Sequence, residues 1–343
     1  MDKSSVFLRA CQQQYTEYTP VWFMRQAGRY MKEYRDIRKK VPFLTMCKTP
    51  DLAAEVTLQP VEKIGIDAAI IFSDILLPLE PMGITLEFSQ GDGPVVHNPI
   101  KSEEDIERLR IIEPEEDLPF ATEAIRKVCI ALDGKVPLIG FSGGPFTLAS
   151  YIIEGGHSRN YIKTKRLMYH NTPYWRLLME KLAETITRYL NAQIEAGAQA
   201  IQVFDSWVGC LSPPDYAEYV LPHSRYVFQR IKKDIPTIHF ATDSSTLLEL
   251  MQQAGGNVIG IDWRIDLGKA WELLGYKVGI QGNLDPVTLF APIPVIRNKT
   301  KEILESANNR PGHIFNLGHG ILPWTPVENV IALVEAVHEF SQR

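Results

Sequence analysis

The chain has 343 residues, 45% of them apolar and 22% charged. That balance suits a soluble globular protein with one substantial core and excludes a disordered chain. The formal net charge of −5 leaves no global basic field for nucleic acid, so attraction for an anionic ligand has to come from particular arginines. The four cysteines, Cys11, Cys47, Cys129 and Cys210, form no Cys-x-x-Cys pair and read as small buried thiols. No apolar stretch reaches the ~18 residues of a membrane span. The N-terminal residues lack a signal h-region and the Arg-rich character of a transit peptide. A cytoplasmic protein is expected, with neither a membrane nor a nucleic-acid partner.

Residues 4–13 pattern as a short amphipathic helix. The first expected strand is 20–24. Its apolar run, Val21 to Met24, is followed at once by Arg25, Gln26, Ala27, Gly28 and Arg29, and then by Lys32, Arg35, Arg38, Lys39 and Lys40. A buried strand that ends in a donor-rich turn suits carboxylates, because the planar guanidinium fork stays charged near neutral pH. A solvated basic helix face is the plainer reading of the same run. Helices are expected at 29–40 and 50–63. The second strand, 68–74, is a near-continuous apolar run, as a parallel strand buried on both faces requires, and it ends on Ser73 and Asp74. Residues 84–97 alternate around Gly91-Asp92-Gly93 and read as a β-hairpin excursion after this strand. Helices at 102–109 and 116–133 follow.

Strand three, 136–142, runs into Gly143-Gly144-Pro145 and a helix from about 146. Residues 154–160 form a polar loop suited to a lid, and a long helix is expected at 172–196. Strands four to eight fall at 200–205, 237–242, 258–262, 278–281 and 313–316. The helices between and after them are expected at 213–231, 245–254, 267–274, 294–308 and 326–341. Eight short apolar strands alternating with helices suit an α/β fold of the (β/α)8 TIM-barrel type, built as a single domain over residues 1–343. A doubly wound open sheet is the competing arrangement.

In such barrels the chemistry sits at the C-terminal strand ends. Those ends read Arg25/Gln26, Ser73/Asp74, Ser142, Asp205/Ser206, Thr242/Asp243, Asp262, Gln281/Asn283 and His319, with Phe72, Phe141, Tyr151, Phe204 and Trp207 beside them. The expected mouth is an apolar bowl with a few polar groups and two arginines, suited to a large, flat molecule carrying carboxylates. Each residue also has an ordinary reading. Asp74 suits a helix cap, His319 a donor in a tight turn, and Tyr151 packing with a satisfied hydroxyl. Asp205, Asp243 and Asp262 read as caps or rim partners, and His239 as a satisfied core histidine.

Five blocks carry a resemblance. Trp22-Phe-Met-Arg-Gln-Ala-Gly-Arg-Tyr30 is similar to the signature of the uroporphyrinogen decarboxylase family. Ile70-Ile-Phe-Ser-Asp-Ile75, Gly144-Pro-Phe-Thr-Leu148 with Tyr151 and Glu154-Gly-Gly156, Phe204-Asp-Ser-Trp207 and Asn316-Leu-Gly-His-Gly320 resemble its further blocks, in order across the whole chain. The resemblance implies a homodimeric TIM barrel that needs no metal or organic cofactor. It implies removal of the carboxyl from each acetate side chain of uroporphyrinogen III, giving coproporphyrinogen III and CO₂ in haem biosynthesis. The implied catalytic residues are Asp74, Arg25 and Arg29. The implied substrate-binding set is Arg25, Gln26, Ala27, Gly28, Arg29, Asp74, Tyr151, Ser206 and His319, with Arg38 in support. Some members carry His after the matched serine where this chain has Trp207, so no role transfers to that position.

Two rival readings compete with this one. A corrinoid-linked methyltransferase on a related barrel would use zinc, typically through a His-x-Cys pair, and the best-placed candidate here reads His239-Phe240-Ala241. A non-catalytic tetrapyrrole-binding protein is the other; both arginines together with Asp74 argue against it.

Overall fold

The computed structural model describes residues 5–89, 93–232 and 234–343. The described strands, in chain order, are β1 Ala69–Ile70, β2 Leu86–Ser89, β3 Gly93–Val96, β4 Leu138–Gly143, β5 Ala200–Phe204, β6 Thr237–Phe240, β7 Val258–Gly260, β8 Gly279–Leu284 and β9 His313–Leu317. Seven of them make one parallel sheet in the order β1-β4-β5-β6-β7-β8-β9. Period-2 alternation decides what each face meets. Ile201 and Val203 of β5 pack outward in one cluster with Leu182 and Ile186 of the helix Thr172–Ala196. Ala200 and Phe204 pack inward with Ile139, Ile238, Val258 and Ile314. That inner cluster also takes in Trp22, Met24 and Ala68, so the sheet curls until its two ends face the same stretch of chain. The result is a TIM-barrel-like α/β fold.

β2 and β3 pair antiparallel from Leu86↔Val96 to Ser89↔Gly93. Gly91 and Asp92 of the expected turn lie outside the described residues. β3 is tied back to the main body by Val96 N–H donating to Gly155 O at 3.0 Å.

The expected strand at 20–24 is instead a single bridge, Val21 to Phe315. The reason lies in who supplies the hydrogen bonds. Pro20 has no N–H to give, although its carbonyl accepts from Phe315 N at 2.8 Å. Val21 N donates to the Asp67 carboxylate at 2.8 Å, and Asp67 N returns a bond to Val21 O at 2.8 Å. Phe23 N donates to the Gln26 side-chain oxygen at 3.1 Å, and the Gln26 amide donates to Ala68 O at 3.2 Å. Side chains thus take the places of ladder partners on the Asp67 and Ala68 side of the seam, while the β9 side keeps backbone bonds, Phe315 N to Pro20 O and Trp22 N to Phe315 O.

Asp67 is the centre of that closure. Besides Val21 N it accepts from the Tyr18 hydroxyl at 2.9 Å and meets His338 Nε2 of the last helix, Val327–Phe340, at 2.8 Å. Loss of a carboxylate that satisfies several buried donors is costly. Asp67→Ala is expected to lower the unfolding free energy by about 2–4 kcal/mol, read from urea midpoints. An unchanged midpoint would show that the seam closes without it.

Two expected helices divide at prolines. The stretch 213–231 becomes Pro213–Tyr219 and Leu221–Arg230, because Pro222 cannot donate to the preceding turn. The stretch 116–133 becomes Pro114–Asp117 and Pro119–Leu132 for the same reason at Pro119. Three helices were not expected: Phe43–Lys48, Leu79–Met82 and Ile162–His170.

Candidate active site

The turn after Met24 is built around Arg25, which holds a backbone φ of 60°. Left-handed backbone is uncommon for a residue with a side chain, and such strain persists only where the surroundings hold it. Here the surroundings are two glycines. A Cβ at Gly28 would stand 2.9 Å from Arg25 O, and a Cβ at Gly320 would stand 2.5 Å from Arg25 Cδ. The loop after β9 is therefore laid directly on the arginine stem. Ile321 N donates to Met24 O at 2.9 Å and Gly318 N to Leu284 O at 2.8 Å, so this loop is strung between the seam and β8.

His319 sits in that loop. Its Nδ1 accepts from Gly320 N at 2.6 Å, which leaves the ring proton on Nε2. Burial and the neighbouring Arg25 charge lower its pKa to about 4. The ring is neutral at pH 7 and presents a donor.

Asp74 follows β1. One carboxylate oxygen accepts from Leu76 N at 2.9 Å, as a cap would. The other has no partner among the described residues. Burial raises the pKa of this carboxyl to about 6, against the opposing pull of Leu76 N and Arg25. The cap reading of Asp74 thus accounts for one of its two oxygens.

Tyr151 is carried by the helix Pro145–Glu154 and stacks on Trp207, with ring centroids 3.9 Å apart at 29°. Burial and the Asp74 charge push its phenol pKa up, and Arg25 pulls it down. Arg25, Asp74, Tyr151 and His319 thus lie within one another's electrostatic reach through Arg25. One turn before Tyr151, the Thr147 hydroxyl donates to Asp205 at 3.1 Å and accepts from Trp207 N at 3.3 Å. This ties the end of β5 to the tyrosine helix. A Cβ at Gly144 would stand 2.6 Å from the same carboxylate.

The other expected residues fall in different places. Ser206 is half-buried after β5, and its carbonyl accepts from the Thr242 hydroxyl at 2.6 Å. Ala27 and Gly28 are half-buried in the arginine turn, and Arg29 is exposed. The charges of Arg38, Arg29 and Arg25 all act on the Tyr34 hydroxyl, whose ring meets Phe72 at 5.8 Å. Gln26 is the exception. It is fully buried, its side-chain amide accepts from Phe23 N of its own segment and donates to Ala68 O across the seam, and its backbone carbonyl accepts from the Tyr30 hydroxyl at 2.7 Å. Its place is that of a brace under Arg25.

Beneath the mouth, Phe204 meets Phe141 at 5.5 Å and Phe240 at 5.8 Å, both edge-on, and Phe240 meets His319 at 6.4 Å. A polar layer lies on the inner face of the curled sheet: Trp22 Nε1 donates to Gln281 at 3.0 Å, and Gln281 donates to Gln202 at 3.0 Å. Gln281, expected at a strand end, is mid-strand because β8 continues to Leu284. His239 is in the core as expected and packs against Phe228 at 4.8 Å, in the direction of the helix layer, but it is not satisfied: neither ring nitrogen has a hydrogen-bond partner among the described residues, because its neighbour there is an apolar ring. Arg264, at the rim after β7, was missed. The only trace in the sequence is a basic residue two places after Asp262.

Fold and mouth together define a TIM-barrel-like protein with an arginine, a carboxylate of raised pKa, a phenol and a neutral histidine at the C-terminal strand ends. The family model described as uroporphyrinogen decarboxylase (URO-D) matches residues 2–340. A uroporphyrinogen decarboxylase of Carboxydothermus hydrogenoformans is 62% identical over 339 residues, covering 98% of this chain and 97% of that protein. One of Sorangium cellulosum is 56% identical over 337 residues, covering 98% and 96%. Among solved structures, a methyltransferase from Methanosarcina mazei superposes with a TM-score of 0.82 at 24% identity, covering 97% of each chain. That likeness is one of fold alone. The chain belongs to the uroporphyrinogen decarboxylase family.

Proposed function

We propose that the protein removes the four acetate carboxyl groups of uroporphyrinogen III, giving coproporphyrinogen III and CO₂. The observation that carries this reading is the free oxygen of Asp74 beside Arg25, with Tyr151 and His319 as neutral donors around it. The substrate matches that set: carboxylates on the rim of the macrocycle and pyrrole N–H donors at its centre. An ionised Asp accepts only, so Asp74 suits the central donors, while the fork of Arg25 or Arg29 holds the reacting acetate.

The chemistry needs an electron sink. Protonation of the pyrrole at a ring carbon makes the ring cationic. The C–COO⁻ bond then breaks, its electron pair neutralises the ring, and an exocyclic methylene remains as CO₂ leaves. Protonation of that methylene gives the methyl group, and loss of the ring-carbon proton restores the pyrrole. The ring itself serves as the sink, so the reading requires no metal or organic cofactor. Asp74 stabilises the cationic stage as a preorganised charge. Tyr151, Ser206 and His319 orient the remaining carboxylates, and Gln26, Ala27 and Gly28 shape the turn that aims the arginines. The same reading takes the seam segment as the eighth stave of a closed (β/α)8 barrel spanning the whole chain as one domain, with β2–β3 as its excursion. It places the enzyme in the cytoplasm as a homodimer.

Product analysis with uroporphyrinogen III under anaerobic, reducing conditions tests this. Coproporphyrinogen III and released CO₂ are expected. Tight binding without CO₂ would make the protein a tetrapyrrole carrier instead.

A further inference from the structure

The rim between β6 and β7 holds a charged group that the proposed reaction leaves unused. Arg264 Nη1 donates to Asp262 at 2.6 Å, its backbone N donates to the other oxygen of Asp262 at 3.0 Å, and its Nε lies 2.8 Å from Asp243. The guanidinium lies 4.2 Å over the Trp263 ring. The two carboxylates are not alike. Asp262 is buried and also accepts from Asp243 N at 2.6 Å, so its oxygens are committed. The Asp243 side chain is 55% exposed, and its backbone holds a φ of 54°. Arg264 is itself 44% exposed, and its Nη2 has no partner among the described residues.

This strap touches the mouth. A Cβ at Gly318 would stand 2.5 Å from Trp263 N, so the loop carrying His319 lies directly on it. The His319 ring feels the charges of both Asp262 and Arg264. Two carboxylates and one guanidinium leave a net negative rim where a polyanion has to enter. Asp243 therefore competes with any incoming carboxylate for the guanidinium.

We propose that Arg264 is a further carboxylate fork of the mouth, engaged by Asp243 in the free protein and transferred to a peripheral carboxylate of the tetrapyrrole when it binds. Asp262 and the Trp263 face keep the fork aimed while its exposed partner changes. The proposal rests on the reading of the substrate as a polycarboxylated tetrapyrrole. If Arg264 were a rivet between loops, removing either partner would loosen the rim in the same direction. An exchangeable fork gives opposite signs.

The test measures KM and kcat with uroporphyrinogen III, together with the Kd of uroporphyrin III followed by its fluorescence. Arg264→Gln is expected to raise KM and Kd by about tenfold, the scale of one charge-assisted hydrogen bond, with kcat changed less than about twofold. Asp243→Asn is expected to lower both by about two- to fivefold, because the fork no longer has a competitor. Raised values in both variants, or no change in either, would overturn the proposal in favour of the rivet. Should Arg264→Gln not fold, Arg264→Lys replaces it, with a smaller rise expected in the same direction. A parent that binds porphyrin but releases no CO₂ would sink the proposed reaction, while the two Kd values would still decide the role of Arg264.

Discussion

Asp74→Asn is expected to lose turnover on the order of 10³-fold while keeping its fold, the scale seen when a preorganised charge is removed from an active site. Asn keeps the oxygen that caps Leu76 N, so the local turn has no reason to open. What it lacks is the negative charge that faces a cationic ring. The pH dependence follows from the carboxyl pKa of about 6. Activity that needs the ionised form falls as pH drops through about 6, and the Asn variant has no such limb. Stability runs the other way. An unfolded Asp ionises near ~3.9, so the fold holds this proton more tightly than the unfolded chain does. The contribution of Asp74 to stability is therefore most favourable below about 4 and is lost as pH rises through about 6. Asp74→Asn should be more stable than the parent at pH 8 and no more stable at pH 4, by urea midpoints. Near-parental decarboxylation by the variant would remove Asp74 from the mechanism.

Arg25→Gln is expected to lower kcat/KM by ~10²-fold or more, again from lost preorganised charge. The loss has two separable parts. The fork for a substrate carboxylate disappears, and so does the charge that acts on its neighbours at the mouth. Arg25 lowers the pKa of Asp74 and of His319 and offsets the upward push on Tyr151. Without it the acid limb of the pH profile should move above 6, and the His319 pKa should rise from about 4 toward the ordinary histidine range. Histidine NMR titration reads the second shift directly. An unmoved acid limb together with an unmoved His319 would mean that Arg25 acts only as a binding fork. Arg25→Gly isolates the backbone, because glycine takes a φ of 60° without strain. It should keep or slightly raise stability while losing activity.

Much of this arrangement was legible along the chain, for a physical reason. In a parallel barrel each buried run ends where the backbone leaves the core, so a charged or polar residue there is placed by the run before it. Arg25, Asp74, Ser206 and His319 all follow such runs. The seam was not legible in the same way. Residues 20–24 look like a strand, yet on one side their partners are side chains of Asp67 and Gln26, and no periodicity announces a side chain standing in for a ladder. Gln26 was misleading because it shares the polar turn with its neighbours but faces inward under it. Arg264 drew no reading from the sequence. Its place at the mouth depends on Gly318 letting another loop pack against Trp263, a contact between distant segments. Trp207 was left without a role because the resemblance differs at that position, and its stack on Tyr151 is a contact between segments that spacing along the chain does not show.

The seam also sets an order in time. Val21 meets Phe315, and Arg25 rests on Gly320, so the arginine turn waits for nearly the whole chain. Contacts so far apart in sequence cost the most loop entropy and form late. A chain still being synthesised has its β4 and β5 neighbours available, but no surface on which to lay Arg25. Catalytic competence then arrives with the last strand rather than with the first motif. Substitutions at Val21 or Asp67 are accordingly expected to speed unfolding and leave the refolding rate nearly unchanged.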